Sequence, residues 1–258
     1  MLIQVHIPWK PALVVTLLLG VAGMHPQSDA QGIQQRLEYS ACMRLARISP
    51  EEGFESALAW ADIGGEGAAQ HCAAVALFSM GQIREAAVRF EELAQTIQVN
   101  VALRSDLLAQ AGQAWHQAGE IDRAYRTYSV ALKLTPRAPQ IRIDRAMVLA
   151  EFGRYGEAID DLDVALDVDA GMVDALVLRA SAYRYLDALE LAFKDISRAL
   201  ELSPRHPEAL LERGIVARLQ GRPDDARYDW LALLRFHEGT PAANAARRNL
   251  EILDVKSQ

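Results

Sequence analysis

Cysteine and aromatic residues are scarce in this chain: two cysteines in 258 residues, and 7% aromatics. Two thiols cannot form the framework of a small disulfide-rich module. Basic charge is also short, with 27 Lys and Arg against 34 Asp and Glu and a net charge of −7. That balance argues against non-specific nucleic-acid binding. There is no His-Glu-x-x-His, no Cys-x-x-Cys, no phosphate-binding glycine loop and no Gly-x-Ser-x-Gly. His71, His116, His206 and His237 are scattered rather than clustered. No catalytic constellation, cofactor site or metal site is therefore expected, and the chain reads as a non-enzyme. β-Branched runs are few, whereas alanine and leucine are abundant, and this composition favours helix.

The first thirty residues differ from the rest. Lys10 precedes an apolar run from Ala12 to Ala22, and Ser28-Asp29-Ala30 places small residues at the first and third positions before Gln31. A charged start, a short apolar run and a small-x-small site together read as a signal peptide, residues 1–30. The run is shorter than the roughly 20 apolar residues that a membrane span needs. The mature chain, 31–258, is expected in a bacterial periplasm with no membrane insertion after cleavage. The alternative is an uncleaved N-terminal segment serving as a membrane anchor. Both cysteines, Cys42 and Cys72, fall in the mature part, 30 residues apart. Export favours a disulfide between them; the alternative is two buried free thiols.

Beyond this segment the chain is punctuated at a fixed period. From Ser105 to Ala138, Gly112 and Trp115 sit in one apolar stripe, Gly119 breaks the pattern, and Ala124, Tyr128, Ala131 and Pro136 mark a second. Gly112, Ala146, Ala180 and Gly214 are spaced by 34, as are Ala124, Ala158, Ala192 and Ala226. Tyr128, Leu162, Ile196 and Trp230 supply bulk at the same period. Small residues facing large ones at one period make antiparallel helix pairs that must stack to bury their faces.

The period divides the mature chain into units 33–66, 67–100, 105–138, 139–172, 173–206 and 207–240, with a capping helix at 241–255. The first helix is expected over Gln31–Ala46, with Leu37, Ala41, Leu45 and Ile48 on one side. Ser49, Pro50 and Glu52 read as a capping box at the next helix start. Residues 101–104 are an insertion that either lengthens a helix or forms a looser joint. Asp187 stands where units 67–100, 105–138, 139–172 and 207–240 have a turn glycine. Asp160-Asp161-Leu162-Asp163 reads as a solvated helix face.

These glycines, alanines and prolines resemble the tetratricopeptide repeat family over nearly all of the mature chain. The resemblance implies an all-α, right-handed solenoid of about six stacked helix pairs with a terminal cap. It also implies a concave groove lined by first helices that binds a peptide or another protein. Transferred position by position, the groove includes Asp106, Gln113, His116 and Gln117, then Ile143, Asp144 and Met147. Asp174, Val177, Arg184 and Tyr185 follow, then Leu211, Ile215 and Arg218. Among these, Ile143, Met147, Val177, Leu211 and Ile215 are read as apolar spots. The expected function is a non-enzymatic envelope adaptor that holds a partner segment in the groove. The alternative is a structural subunit of an envelope assembly that uses its edges. Thiol titration of the denatured, unreduced protein should find no free thiol; two per chain would rule out the disulfide.

Overall fold

The computed structural model describes residues 26–256, so the apolar run Ala12–Ala22 lies outside the described residues. The chain divides into two compact units, one ending at Glu38 and the other beginning at Tyr39. The described part of the first is the start of helix α1 (Pro26–Ile48), where Gln34 donates to Glu38 at 2.6 Å. The second holds the helix pairs. In order they are α2 (Pro50–Trp60), α3 (Glu66–Ser79), α4 (Ile83–Thr96), α5 (Val101–Gln117), α6 (Ile121–Leu134) and α7 (Pro139–Glu151). Then come α8 (Tyr155–Val168), α9 (Val173–Tyr185), α10 (Leu189–Leu202), α11 (Pro207–Leu219), α12 (Pro223–Phe236) and α13 (Pro241–Lys256). No strand occurs among the described residues.

The unit boundaries follow local chemistry. Proline opens α2, α7, α11 and α12 at a first-turn position, where its missing N–H costs nothing. Gly81, Gly119, Gly153 and Gly221 turn the chain between paired helices with φ from +71° to +79°. Asp187 holds the matching place at φ +58°, in a region that a side chain enters at a cost of about 1 kcal/mol. The four-residue insertion lengthens a helix: it forms the first turn of α5, where Asn100 Oδ1 accepts from the Leu103 N–H at 2.9 Å. Ser49 stands at the start of α2 but makes no side-chain capping bond, so the expected capping box does not form. The first helix also departs from expectation. Its buried positions are Cys42 and Ala46, whereas Leu37 and Ile48 are exposed. Gly53 on α2 lies so close to Ala46 that the contact centres there.

Within each pair the small-against-large packing is direct. An added Cβ at Gly112 would lie 2.7 Å from the Tyr128 ring, and one at Gly214 would lie 2.3 Å from the Trp230 indole nitrogen. Tyr128, Leu162, Ile196 and Trp230 are all fully buried. The core is a succession of apolar clusters along the stack, the last running from α7 to α13 through Leu162, Ile196, Leu210 and Leu233. α13 covers the final pair with Ala242, Ala243 and Ala246. Cys42 and Cys72 form a disulfide that joins α1 to α3.

A polar ladder runs beside this core. Asp161, Asp195 and Asp229 are buried, and Arg145, Arg179 and Arg213 each grip one of them with two nitrogens at 2.6–2.9 Å. Arg142 adds a second guanidinium to Asp161 at 2.5 Å. The reading of Asp160–Asp163 as a solvated face is therefore corrected at its second residue. Removing one partner of such a buried pair leaves an uncompensated charge, at a cost of about 3–5 kcal/mol.

Two alanine substitutions should separate space from helix propensity. Gly214→Ala drives a methyl into the Trp230 ring and should lower unfolding stability by about 1–3 kcal/mol. Gly156→Ala, in the first turn of α8 with nothing within 4 Å, should raise it by about 0.5 kcal/mol. Denaturant titration of both variants checks the pair.

Candidate functional site

First helices of successive pairs approach one another directly, α5 to α7, α7 to α9 and α9 to α11, more closely than second helices do. The first helices thus share an inner face, and the expected groove residues are found along it. They are not equally available. Ile143 and Val177 are 4% and 6% exposed and belong to the core cluster, so they offer no apolar spot to a partner. A first helix inside a stack is covered by its own second helix and by both neighbouring pairs, and this burial reaches one position further round than the transferred pattern allows. Leu211 and Ile215 are half-buried at the edge of the same cluster. Met147 and Tyr185 are exposed.

The polar members of the face are tied across repeats. His116 on α5 meets Glu151 of α7 at 2.6 Å. Asp174 on α9 meets His206, the residue before α11, at 3.1 Å. Arg184 on α9 donates to both carboxylate oxygens of Glu212 on α11, at 2.7 and 3.0 Å. Its guanidinium also lies 4.2 Å from the ring centroid of Tyr185, and Tyr185 stacks on Tyr155 at 4.5 Å. Asp144 is half-buried, and desolvation pushes its carboxyl above the usual range although Gln140 donates to it at 2.9 Å. Arg218 carries a buried Nε with no hydrogen-bond partner among the described residues. Asp106, Gln113 and Gln117 are exposed.

Two openings on this face lie where α1, α3 and α4 meet α5, near the start of the array. Tyr39 on α1 donates its hydroxyl to His71 Nδ1 on α3 at 2.8 Å, and His71 Nε2–H donates to Gln110 Oε1 on α5 at 2.9 Å. One pocket of about 490 Å³ lies on one side of this string, with Leu93, Leu103, Leu107 and Asp106 in its wall. A second, of about 400 Å³, lies on the other side, with Met43, Phe78, Phe90 and Gln113. Tyr39, His71 and Gln110 border both. A third opening of about 290 Å³ lies further along, between Glu151, Tyr155, Ser181 and Tyr185. The string fixes the tautomer of His71, and burial between the Tyr39 and Phe90 rings lowers its affinity for a proton. No group of three or more His, Cys, Asp or Glu side chains is placed to hold a metal ion among the described residues. In the turn after α8, Asp169 accepts from the Gly171 N–H.

A family model described as "Tetratricopeptide repeat" matches residues 111–175 and 177–246, together more than half of the chain. The chain belongs to the tetratricopeptide repeat family. Zebrafish protein unc-45 homolog B is 33% identical over 104 residues, which is 38% of this chain and 11% of that protein. Among solved structures, PilF of Pseudomonas aeruginosa superposes with a TM-score of 0.66 at 14% identity, covering 84% of this chain and 99% of that one. YrrB, a TPR protein with an unusual peptide-binding site, superposes at 0.55 with 14% identity, covering 70% of this chain and 91% of its own. These structural likenesses bear on fold. The repeat architecture read from the 34-residue period is that of the family.

His71 sets a pH dependence. A base whose proton affinity is lowered by folding adds stability above its ordinary value of 6.5, and that stability is lost as pH falls through the lowered value. Thermal melts should therefore lose stability between pH 7.5 and pH 5. His71→Gln should flatten that part of the profile; an unchanged slope would contradict the assignment.

Proposed function

We propose that this protein is a non-enzymatic binding scaffold of the cell envelope, exported to the periplasm, which holds a segment of another protein along the face of its first helices. The observation that carries the reading is the pair of pockets on either side of the Tyr39–His71–Gln110 string. They adjoin one another, have apolar walls, and present Asp106, Gln110 and Gln113 at their edges. This is the composition that fixes a peptide by apolar anchors and a few oriented polar contacts. The cross-repeat bonds of His116, Arg184 and Asp174 hold the face in shape before a partner arrives, so the scaffold gives up little conformational entropy on binding. YrrB, with its peptide-binding site, is an instance of this class of function on a similar fold. Export rests on the sequence of the first thirty residues and on the fully buried Cys42–Cys72 disulfide, a bond that persists in oxidising compartments.

A photo-crosslinking residue placed singly at Gln113 and Met147 on the first-helix face should capture one discrete partner in the cells that make the protein. The same residue at Lys194 and Tyr228 on the second helices should not. Capture confined to Lys194 and Tyr228 would favour the edge-using structural subunit instead. Osmotic-shock fractionation should release the protein with the periplasmic contents.

A further inference from the structure

The far side of the stack carries a second feature, independent of the groove. Two later gaps between second helices are bridged by a clamp: Arg145 bonds Ser129 of α6 and Asp161 of α8, and Arg179 bonds Asp163 of α8 and Asp195 of α10, while Arg213 in the last pair bonds Asp229. Thirty-four residues before Arg142, Arg145 and Asp161 stand Leu108, Ala111 and Thr127. The gap between α4 and α6 thus has neither the arginine of the clamp nor its aspartate. What remains is a pocket of about 470 Å³.

Its lining is unusual for an acidic protein. Arg104, Arg123 and Arg126 border it, against one carboxylate, Glu91. Glu91 is already engaged, accepting from Trp115 Nε1 at 3.0 Å and from Thr127 Oγ1 at 2.9 Å. Arg123 lies flat on Trp115, 3.5 Å from the ring centroid, and comes only within 4.0 Å of Glu91. Arg104 sits in the inserted turn of α5, and its Nε is buried with no hydrogen-bond partner among the described residues. A buried guanidinium N–H left unpaired is costly, and the group that relieves it best is an anionic oxygen. Ala94, Leu108 and Val130 supply apolar wall around the three charges.

We propose that this pocket binds an aspartate or glutamate side chain from an acidic, leucine-containing segment of a partner protein. The partner's carboxylate would give these arginines the counter-ion that the chain's own aspartates give Arg145, Arg179 and Arg213 in the later pairs. Bidentate pairing to guanidinium selects a planar carboxylate, and the apolar wall selects a hydrophobic neighbour beside it. The site lies on the side opposite the first-helix groove, so a partner there leaves the groove open.

The test is an NMR titration of the arginine Nε–H resonances of the full chain at low salt. The probes are N-acetyl-Leu-Asp-Leu-amide and its Asn counterpart. The Asp peptide should move the Arg104 resonance saturably and bind at least tenfold more tightly than the Asn peptide. Arg104→Gln and Arg126→Gln should each weaken it at least fivefold. Val130→Glu places a carboxylate at the exposed rim, one helical turn from Arg126, and should abolish binding, while Val130→Gln should not. Crosslinking at Gln113 should be unchanged in all four variants, which separates failure of this site from failure of the groove. Equal binding of both peptides, no effect of Val130→Glu, or tighter binding of inorganic phosphate than of the Asp peptide would each overturn the proposal.

Discussion

The distance between paired helices governs this structure. Two helices carrying side chains all round cannot come close enough to bury a Tyr128 or a Trp230 between them. The first helix therefore gives up its side chain where the second brings its largest one. Gly112 and Gly214 lie against those rings, and the alanines of the middle pairs leave room for the smaller Leu162 and Ile196. Once that distance is set, the rest follows. Turn positions fall at a fixed offset, successive first helices come into contact, and the arginine–aspartate clamps find their partners sixteen residues apart.

The clamps show how polar chemistry is folded into an apolar plan. Each aspartate is buried on a second helix, at a place where a bare carboxylate could not remain ionised, and its arginine arrives from the first helix of the same pair. A residue that is polar by type thereby becomes part of the interior. The inner face works differently. Its bonds run between pairs, from His116 to Glu151 and from Arg184 to Glu212, and they fix the curvature of the surface rather than the closure of one hairpin.

Much of the fold is legible in the sequence. Glycine, alanine and proline at a 34-residue period are causes of the architecture and mark its units directly. The site is less legible. Ile143 and Val177 belong to the right helices, but apolar residues on a groove rim and in the layer beneath it have the same periodicity, and only the neighbouring pairs decide between them. Asp161 is hidden among adjacent carboxylates; its signal is the matching period of Arg145, Arg179 and Arg213, visible only when charges are compared across repeats. Tyr39 and His71 belong to units 33–66 and 67–100, for which no position was transferred, and Gln110 stands in unit 105–138 outside the transferred set.

The fastening of the two ends has a mechanical meaning. A linear array in which each element touches only its neighbours normally frays from its termini, because a terminal element has half the contacts of an internal one. Here a covalent bond between Cys42 and Cys72 secures one end, and the alanine face of α13 seals the other. Loosening is then pushed inward, away from the fastened ends. A chain built this way keeps its ends among the last parts to let go.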